Sequence, residues 1–253
     1  MIKTRIIPCL QLIDESLVKT IKFSNPKYIG DPINTVRIFN ELEVDELCFI
    51  DIRASKKGIS PNFKILKEIA NECFMPLSYG GGLIDLNTIK KIFNIGFEKV
   101  IINTAAHENP SFISEVANHF GNQSIIASID VKKNFFNKYR VYTCDGTKKT
   151  KLNPIEWAKE LQSLGAGELL VTSIDRDGTW TGYDIDLLKK ITSSVNIPVI
   201  ANGGAGDINH IISAKNEGNA SAIALGSMVV YQGKDLGVLI NFPSKEKLNK
   251  LDI

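Results

Sequence analysis

The sequence predicts a single (β/α)8 barrel, on three observations. Short β-branched apolar runs alternate with amphipathic stretches of helical length, helix starts are marked by a capping residue followed by proline, and one long segment recurs in the second half. At 253 residues the chain has the length of a one-domain α/β barrel.

Eight strand candidates follow in order: Arg5–Gln11, Glu46–Asp51, Pro76–Gly80, Lys99–Asn103, Ser124–Asp130, Glu168–Ser173, Pro198–Asn202 and Ala222–Gly226. "LCFI", "VII", "SIIAS" and "ELLV" are nearly continuous apolar runs, as parallel strands covered on both faces require. Asp31-Pro32, Ser60-Pro61, Asn109-Pro110 and Asn153-Pro154 each pair an acceptor side chain with a proline whose missing N–H costs nothing in a first helical turn. "MPLSYGGGLIDLNTIKKIFNIGFEKVII" (75–102) matches "IPVIANGGAGDINHIISAKNEGNASAIA" (197–224), pairing Pro76 with Pro198, Gly82 with Gly204, Asp85 with Asp207 and Gly96 with Gly218. Two repeated half-barrels, about 1–122 and 123–240, with a short tail over 241–253, would produce this repeat. The same logic sets "RIIPCLQL" (5–12) against "SIIASIDV" (124–131) and places Gln11 opposite Asp130. An open, doubly wound sheet is the lesser option.

Composition narrows the function. Thirty basic and twenty-eight acidic residues, dispersed along the chain, give no electrostatic case for nucleic acid. Cys9, Cys48, Cys73 and Cys144 lack CxxC spacing, and three lie in apolar runs, so they read as reduced core thiols. His107, His119 and His210 lack metal-ligand spacing, and neither metal nor cofactor is expected. The sequence shows no signal peptide and no apolar run of membrane-spanning length, which points to a cytoplasmic protein.

"GGGLID" (80–85) and "GGAGDI" (203–208) each close a strand and open a helix, where glycine lets an anion approach unpaired backbone N–H groups. A tight turn explains either one alone. Together with Asn103 and Thr104 after the fourth strand, and with Gly226 and Ser227 after the eighth, they predict two phosphate sites on opposite sides of one barrel mouth.

With these residues in hand, "RIIPCL", "GDPI", "YGGG", "INTAA", "TSIDRDGT" and "GGAG" resemble the HisF family, the cyclase subunit of imidazole glycerol phosphate synthase. The resemblance runs from Arg5 to about Val230. It implies ammonia delivered by a HisH-like glutaminase and a bis-phosphorylated ribonucleotide cleaved and cyclised at the mouth. It implies phosphate contacts at Gly82, Asn103 and Thr104, and a second set at Asp177, Gly178, Gly204, Gly226 and Ser227. Of the family's two catalytic carboxylates, one matches Asp130 and the other falls on Gln11, whose amide supplies no proton at neutral pH. Lys19 matches a lysine of the family's mobile first loop, and Asp14 is a conceivable substitute acid.

"VKTIKFSNPKYIGDPINTVRIFN" (18–40), "ECFMPLSYGGG", "SIDVKKN", "YTCDGTKKT" and the short tail after "YQGKDLGVLINFP" are more similar to the WbuZ group of glycosyl-amidation HisF-like proteins. That similarity implies ammonia supply for amidation (acetamidino formation) of a surface-polysaccharide sugar, with a separate sugar amidotransferase as a further partner. Arg5, Glu46, Lys99 and Glu168, at the starts of four strands, match the family's gate between glutaminase and barrel interior, and Glu98 matches an acidic contact to the glutaminase. Without the resemblance, four solvated rim charges are the favoured reading, and the match to the gate reverses it. Buried ion pairs cost desolvation, so stability alone is a weak reason for keeping such a ring.

Overall fold

The structure, a computed structural model, describes residues 4–250. Its first half contains β1 (Arg5–Ile13), β2 (Ser16–Ile21), β3 (Ser24–Gly30), α1 (Pro32–Glu41), β4 (Leu47–Asp51), α2 (Ala54–Lys57), α3 (Phe63–Glu72), β5 (Leu77–Gly80), α4 (Leu86–Ile95), β6 (Lys99–Ile102), α5 (Thr104–Glu108) and α6 (Ser111–Phe120). Then follow β7 (Ile125–Lys133), β8 (Tyr139–Thr143), β9 (Lys148–Lys149), α7 (Pro154–Ser163), β10 (Glu168–Ser173), α8 (Ile185–Thr192), β11 (Val199–Asn202), α9 (Ile208–Asn216), β12 (Ala222–Leu225), α10 (Ser227–Val230) and α11 (Lys245–Lys250).

β1, β4, β5, β6, β7, β10, β11 and β12 pair in parallel in that order, and β12 returns to β1, closing an eight-stranded barrel with helices between the strands. Closure leaves the barrel no free edge. Alternation along each strand sorts two cores. In β1, Ile6, Leu10 and Leu12 pack outward into the layer shared with the helices, while Ile7 and Cys9 face inward with Cys48, Ile101, Ile126, Leu170, Ile200 and Ala224. No described helix is long and apolar enough to cross a membrane.

The capping expectations hold at two sites and fail at two. Asp31 accepts from the Asn34 N–H and Asn153 from the Ile155 N–H, each ahead of a proline that opens its helix. At the third, Asn62 takes the capping role, accepting from Ile65, so α3 begins after the Ser60-Pro61 pair rather than at it. At the fourth, the Asn109 side-chain oxygen accepts from the Ser111 hydroxyl at 2.7 Å rather than from a helix N–H, and Pro110 stands at the cap without a side-chain bond. The repeated Asp85 and Asp207 both cap, opening α4 and α9.

β1 and β7 run on past their expected ends at Gln11 and Asp130, because each turns into an antiparallel partner above the barrel. Gln11 is the first residue of β1 to pair with β2, opposite Val18, and Asp130 the first of β7 to pair with β8, opposite Tyr142. The expected first loop is therefore largely a β2–β3 ribbon, and Lys19 is a buried residue of β2 rather than part of a mobile loop.

Candidate functional site

A cavity of about 370 Å³ opens at the carboxyl ends of the barrel strands. Gln11, Lys19 and Asp130 line it, and so do Gly82, Asn103, Thr104, Asp177, Gly178, Gly204, Gly226 and Ser227. The structure thus brings every residue expected at the mouth to one chamber. Asp14, considered as a substitute acid, is exposed in the β1–β2 turn.

The two glycine loops are built alike. Gly82 (φ +67°) and Gly204 (φ +114°) lie in the left-handed region, where a side chain is strained, and a Cβ there would press on the Ile59 and Gly182 carbonyl oxygens. Beside them, after the neighbouring strands β6 and β12, Asn103 and Gly226 share an unusual backbone turn (φ −123°, ψ −83° and φ −102°, ψ −99°) that starts α5 at Thr104 and α10 at Ser227. Each side of the mouth therefore combines backbone N–H groups with one hydroxyl. The Thr104 oxygen accepts from the Cys144 N–H at 3.1 Å, which leaves its own O–H free to donate.

Asp130 stands between these loops. Burial pushes its carboxyl up to about 7, opposed by hydrogen bonds from Thr172, Ser128 and Asn103, the last at 2.9 Å, and assisted by the neighbouring charge of Asp145. Such a group exchanges protons near neutrality. Gln11 does something else. Its amide oxygen accepts from the Thr20 N–H at 3.1 Å, its NH2 donates to the Thr20 hydroxyl at 3.2 Å, and that hydroxyl donates to Asp177 at 2.9 Å. The Phe23 and Lys22 N–H groups also bind Asp177, the first at its carboxylate and the second at its backbone oxygen. Gln11 is the inner anchor of a clasp tying the β2–β3 ribbon to the loop of Asp177 and Gly178. Lys19 is held beside it, donating to the Cys9 carbonyl at 3.3 Å.

Asp145 is the site residue that sequence reasoning missed. It lines the cavity in the turn between β8 and β9, and burial pushes its carboxyl up to about 6 against the opposing charges of Lys56 and Arg53. "CDG" at 144–146 is a turn signal, but nothing in it says that the turn folds back over the mouth.

The opposite end carries the charged residues. Arg5 binds Glu46 at 2.8 Å and Glu168 at 2.6 Å, and Lys99 binds Glu168 at 2.6 Å and approaches Glu46 at 3.7 Å. The four close a ring of alternating sign across the amino ends of the strands. Both glutamates are buried, and the Glu46 oxygen facing Lys99 has no hydrogen-bond partner, so the Lys99–Glu46 side is the weakest. Burial alone raises the Glu168 carboxyl, but the hydrogen bonds from Arg5 and Lys99 outweigh it and hold the group below the usual range. Glu98 is exposed beside this ring. Between ring and mouth lies the apolar barrel interior.

The model of the family described as "Histidine biosynthesis protein" matches residues 5–235. A Pseudomonas aeruginosa protein named "Putative imidazole glycerol phosphate synthase subunit hisF2" is 49% identical over 253 residues, the whole of both chains. One from Leptospira interrogans, "Putative imidazole glycerol phosphate synthase subunit HisF", is 47% identical over 97% of each chain. The imidazole glycerol phosphate synthase subunit HisF of Alkaliphilus metalliredigens is 40% identical over 100% of this chain and 98% of its own.

Proposed function

The chain belongs to the HisF family of histidine biosynthesis proteins, and from that premise we propose that it conducts ammonia for a glutamine-dependent amidation. In this reading a HisH-type glutaminase sits on the charged floor, with Glu98 among its contacts. Neutral ammonia passes the ring where Lys99 and Glu46 meet, crosses the apolar interior and leaves at the mouth. There a separate sugar amidotransferase uses it to install an acetamidino group on a surface-polysaccharide sugar. The mouth loops hold a phosphate or a phosphorylated sugar ligand.

One observation carries the reading. The position matched to the first cyclase carboxylate holds an amide spent on Thr20, while the ring of Arg5, Glu46, Lys99 and Glu168 is complete. Conduction asks for the ring and a dry interior, and cyclisation asks for the acid as well. The test is a reconstitution of barrel, glutaminase and amidotransferase, driven by glutamine or by ammonium salt. Glutamine-driven amidation is expected to require the barrel and to fall about tenfold or more in Lys99→Ala, with ammonium-driven amidation unchanged. Equal loss with both nitrogen sources would remove the conducting role.

A second reading is the cyclase subunit of imidazole glycerol phosphate synthase, the name its relatives carry. Asp145 favours it, since this carboxyl near neutrality beside Asp130 offers a proton that Gln11 does not. Under that reading Asp145→Asn abolishes an ammonia-dependent cyclisation as fast as a genuine cyclase's; under the first only a residual turnover is there to begin with.

A further inference from the structure

The barrel interior holds a feature that neither ammonia passage nor phosphate binding uses. Cys9 of β1 and Cys48 of β4 are register partners on adjacent parallel strands, both pointing inward, with their sulfurs 3.6 Å apart. Neighbouring strands lie about 4.8 Å apart and disulfides bridge Cα separations of about 4.4 to 6.8 Å, so side-chain rotation and a small shift suffice to join them. The two thiols are not equivalent. Cys9 lines the mouth cavity, whereas Cys48 does not.

We propose that Cys9 and Cys48 form an oxidation site for small hydroperoxides entering through the mouth, with Cys9 as the attacking sulfur and Cys48 as the resolving one. The Cys9 thiolate attacks the distal oxygen of hydrogen peroxide. The O–O bond breaks, Cys9 becomes a sulfenic acid, and the released hydroxide takes up the proton that Cys9 lost on ionising and leaves as water. The Cys48 sulfur then attacks the Cys9 sulfur, the S–O bond breaks, and a second water departs with the Cys48 proton. Two thiols are oxidised to one disulfide while one peroxide is reduced to two waters.

The surroundings suit this division. A hydrogen bond with Cys48 pulls the Cys9 thiol below its ordinary range, assisted by the charge of Lys19 and opposed by burial and by the carboxylates of Asp177 and Asp130, while the same hydrogen bond and burial push Cys48 above it. Lys19 donates to the backbone oxygen of Cys9, which fixes its ammonium next to the attacking residue. Cys73 and Cys144, the other two free thiols, have no cysteine partner among the described residues. The disulfide would lie in the wall between the charged ring and the mouth.

The test treats the reduced full-length protein with equimolar hydrogen peroxide and follows intact mass and non-reduced peptide maps. The expected result is a loss of about 2 Da, a Cys9–Cys48 cross-linked peptide, and return of both thiols on adding a dithiol reductant. In Cys48→Ser the intermediate should persist and be trapped by a 1,3-diketone at Cys9, whereas Cys9→Ser should leave Cys48 unmodified. Circular dichroism checks both variants, and the wild-type map decides alone if either fails to fold. Oxidation at Cys73 or Cys144 with the pair intact, or a cross-link that forms only in denaturant, would overturn the proposal.

Discussion

At residue 11 an amide has replaced the carboxylate that the family resemblance led us to expect, and its three-point clasp explains what the amide does. Replacing Gln11 with Leu leaves the buried Thr20 N–H without its acceptor, the Thr20 hydroxyl keeping Asp177, and should cost about 1–3 kcal/mol in urea denaturation. A leucine variant as stable as the wild type would show that the clasp is slack. Asp130 gives a pH signature. Its folded-state value of about 7 lies above the ordinary value of 3.8, so the native state holds the proton more tightly than the unfolded chain. That contribution to stability is whole below the unfolded value and is lost as pH rises towards 7. Asp130→Asn should therefore gain stability relative to wild type across that window, by up to about 1.4 kcal/mol per pH unit, and level off above it. A difference independent of pH between 4 and 7 would mean that Asp130 is ionised throughout. The glycine loops of the mouth were legible because glycines and small hydroxyl residues stand out at strand–helix junctions. The clasp was not, because nothing near Gln11 in the chain announces Asp177, brought to it only by closure of the barrel.

Among the elements, the barrel strands were readable within one to three residues at their ends, since two-sided burial forces continuous apolar runs. The ribbon of β2 and β3 was not. Its turn uses Lys22 and Phe23, both at positive φ, in place of the Asn-Gly or Asp-Gly pair that marks a two-residue hairpin. β3 also contains Pro26 and is exposed over most of its length, so it shows no hydrophobic alternation. Anchoring by Gln11, Thr20 and Asp177 predicts that the amides of Thr20, Lys22 and Phe23 exchange slowly. In Thr20→Val their protection should fall by about tenfold or more, with β4 and β5 unaffected. Unchanged protection would assign the ribbon's order to its other contacts with the barrel.

For the whole molecule, the two ends carry different chemistry on one scaffold: a ring of ion pairs at the floor, and loops, Lys19 and two carboxyls near neutrality at the mouth. Removing a buried glutamate leaves two half-buried cations, Arg5 and Lys99, without their shared partner. Glu168→Ala should destabilise by about 1–3 kcal/mol, less than a fully buried pair because water reaches both cations, whereas apolar replacement of all four is expected to be close to neutral for folding. A similarly small cost for Glu168→Ala would show that the ring is hydrated. The central claim is that conduction persists in a barrel whose cyclisation chemistry is incomplete. Ammonia-dependent turnover of the bis-phosphorylated ribonucleotide, with saturating ammonium salt and a genuine cyclase alongside, tests it most directly. The account predicts wild-type turnover about 100- to 10,000-fold below the cyclase, the range set by one general acid, with a gain in Gln11→Asp. Wild-type turnover within about tenfold of the cyclase would contradict it.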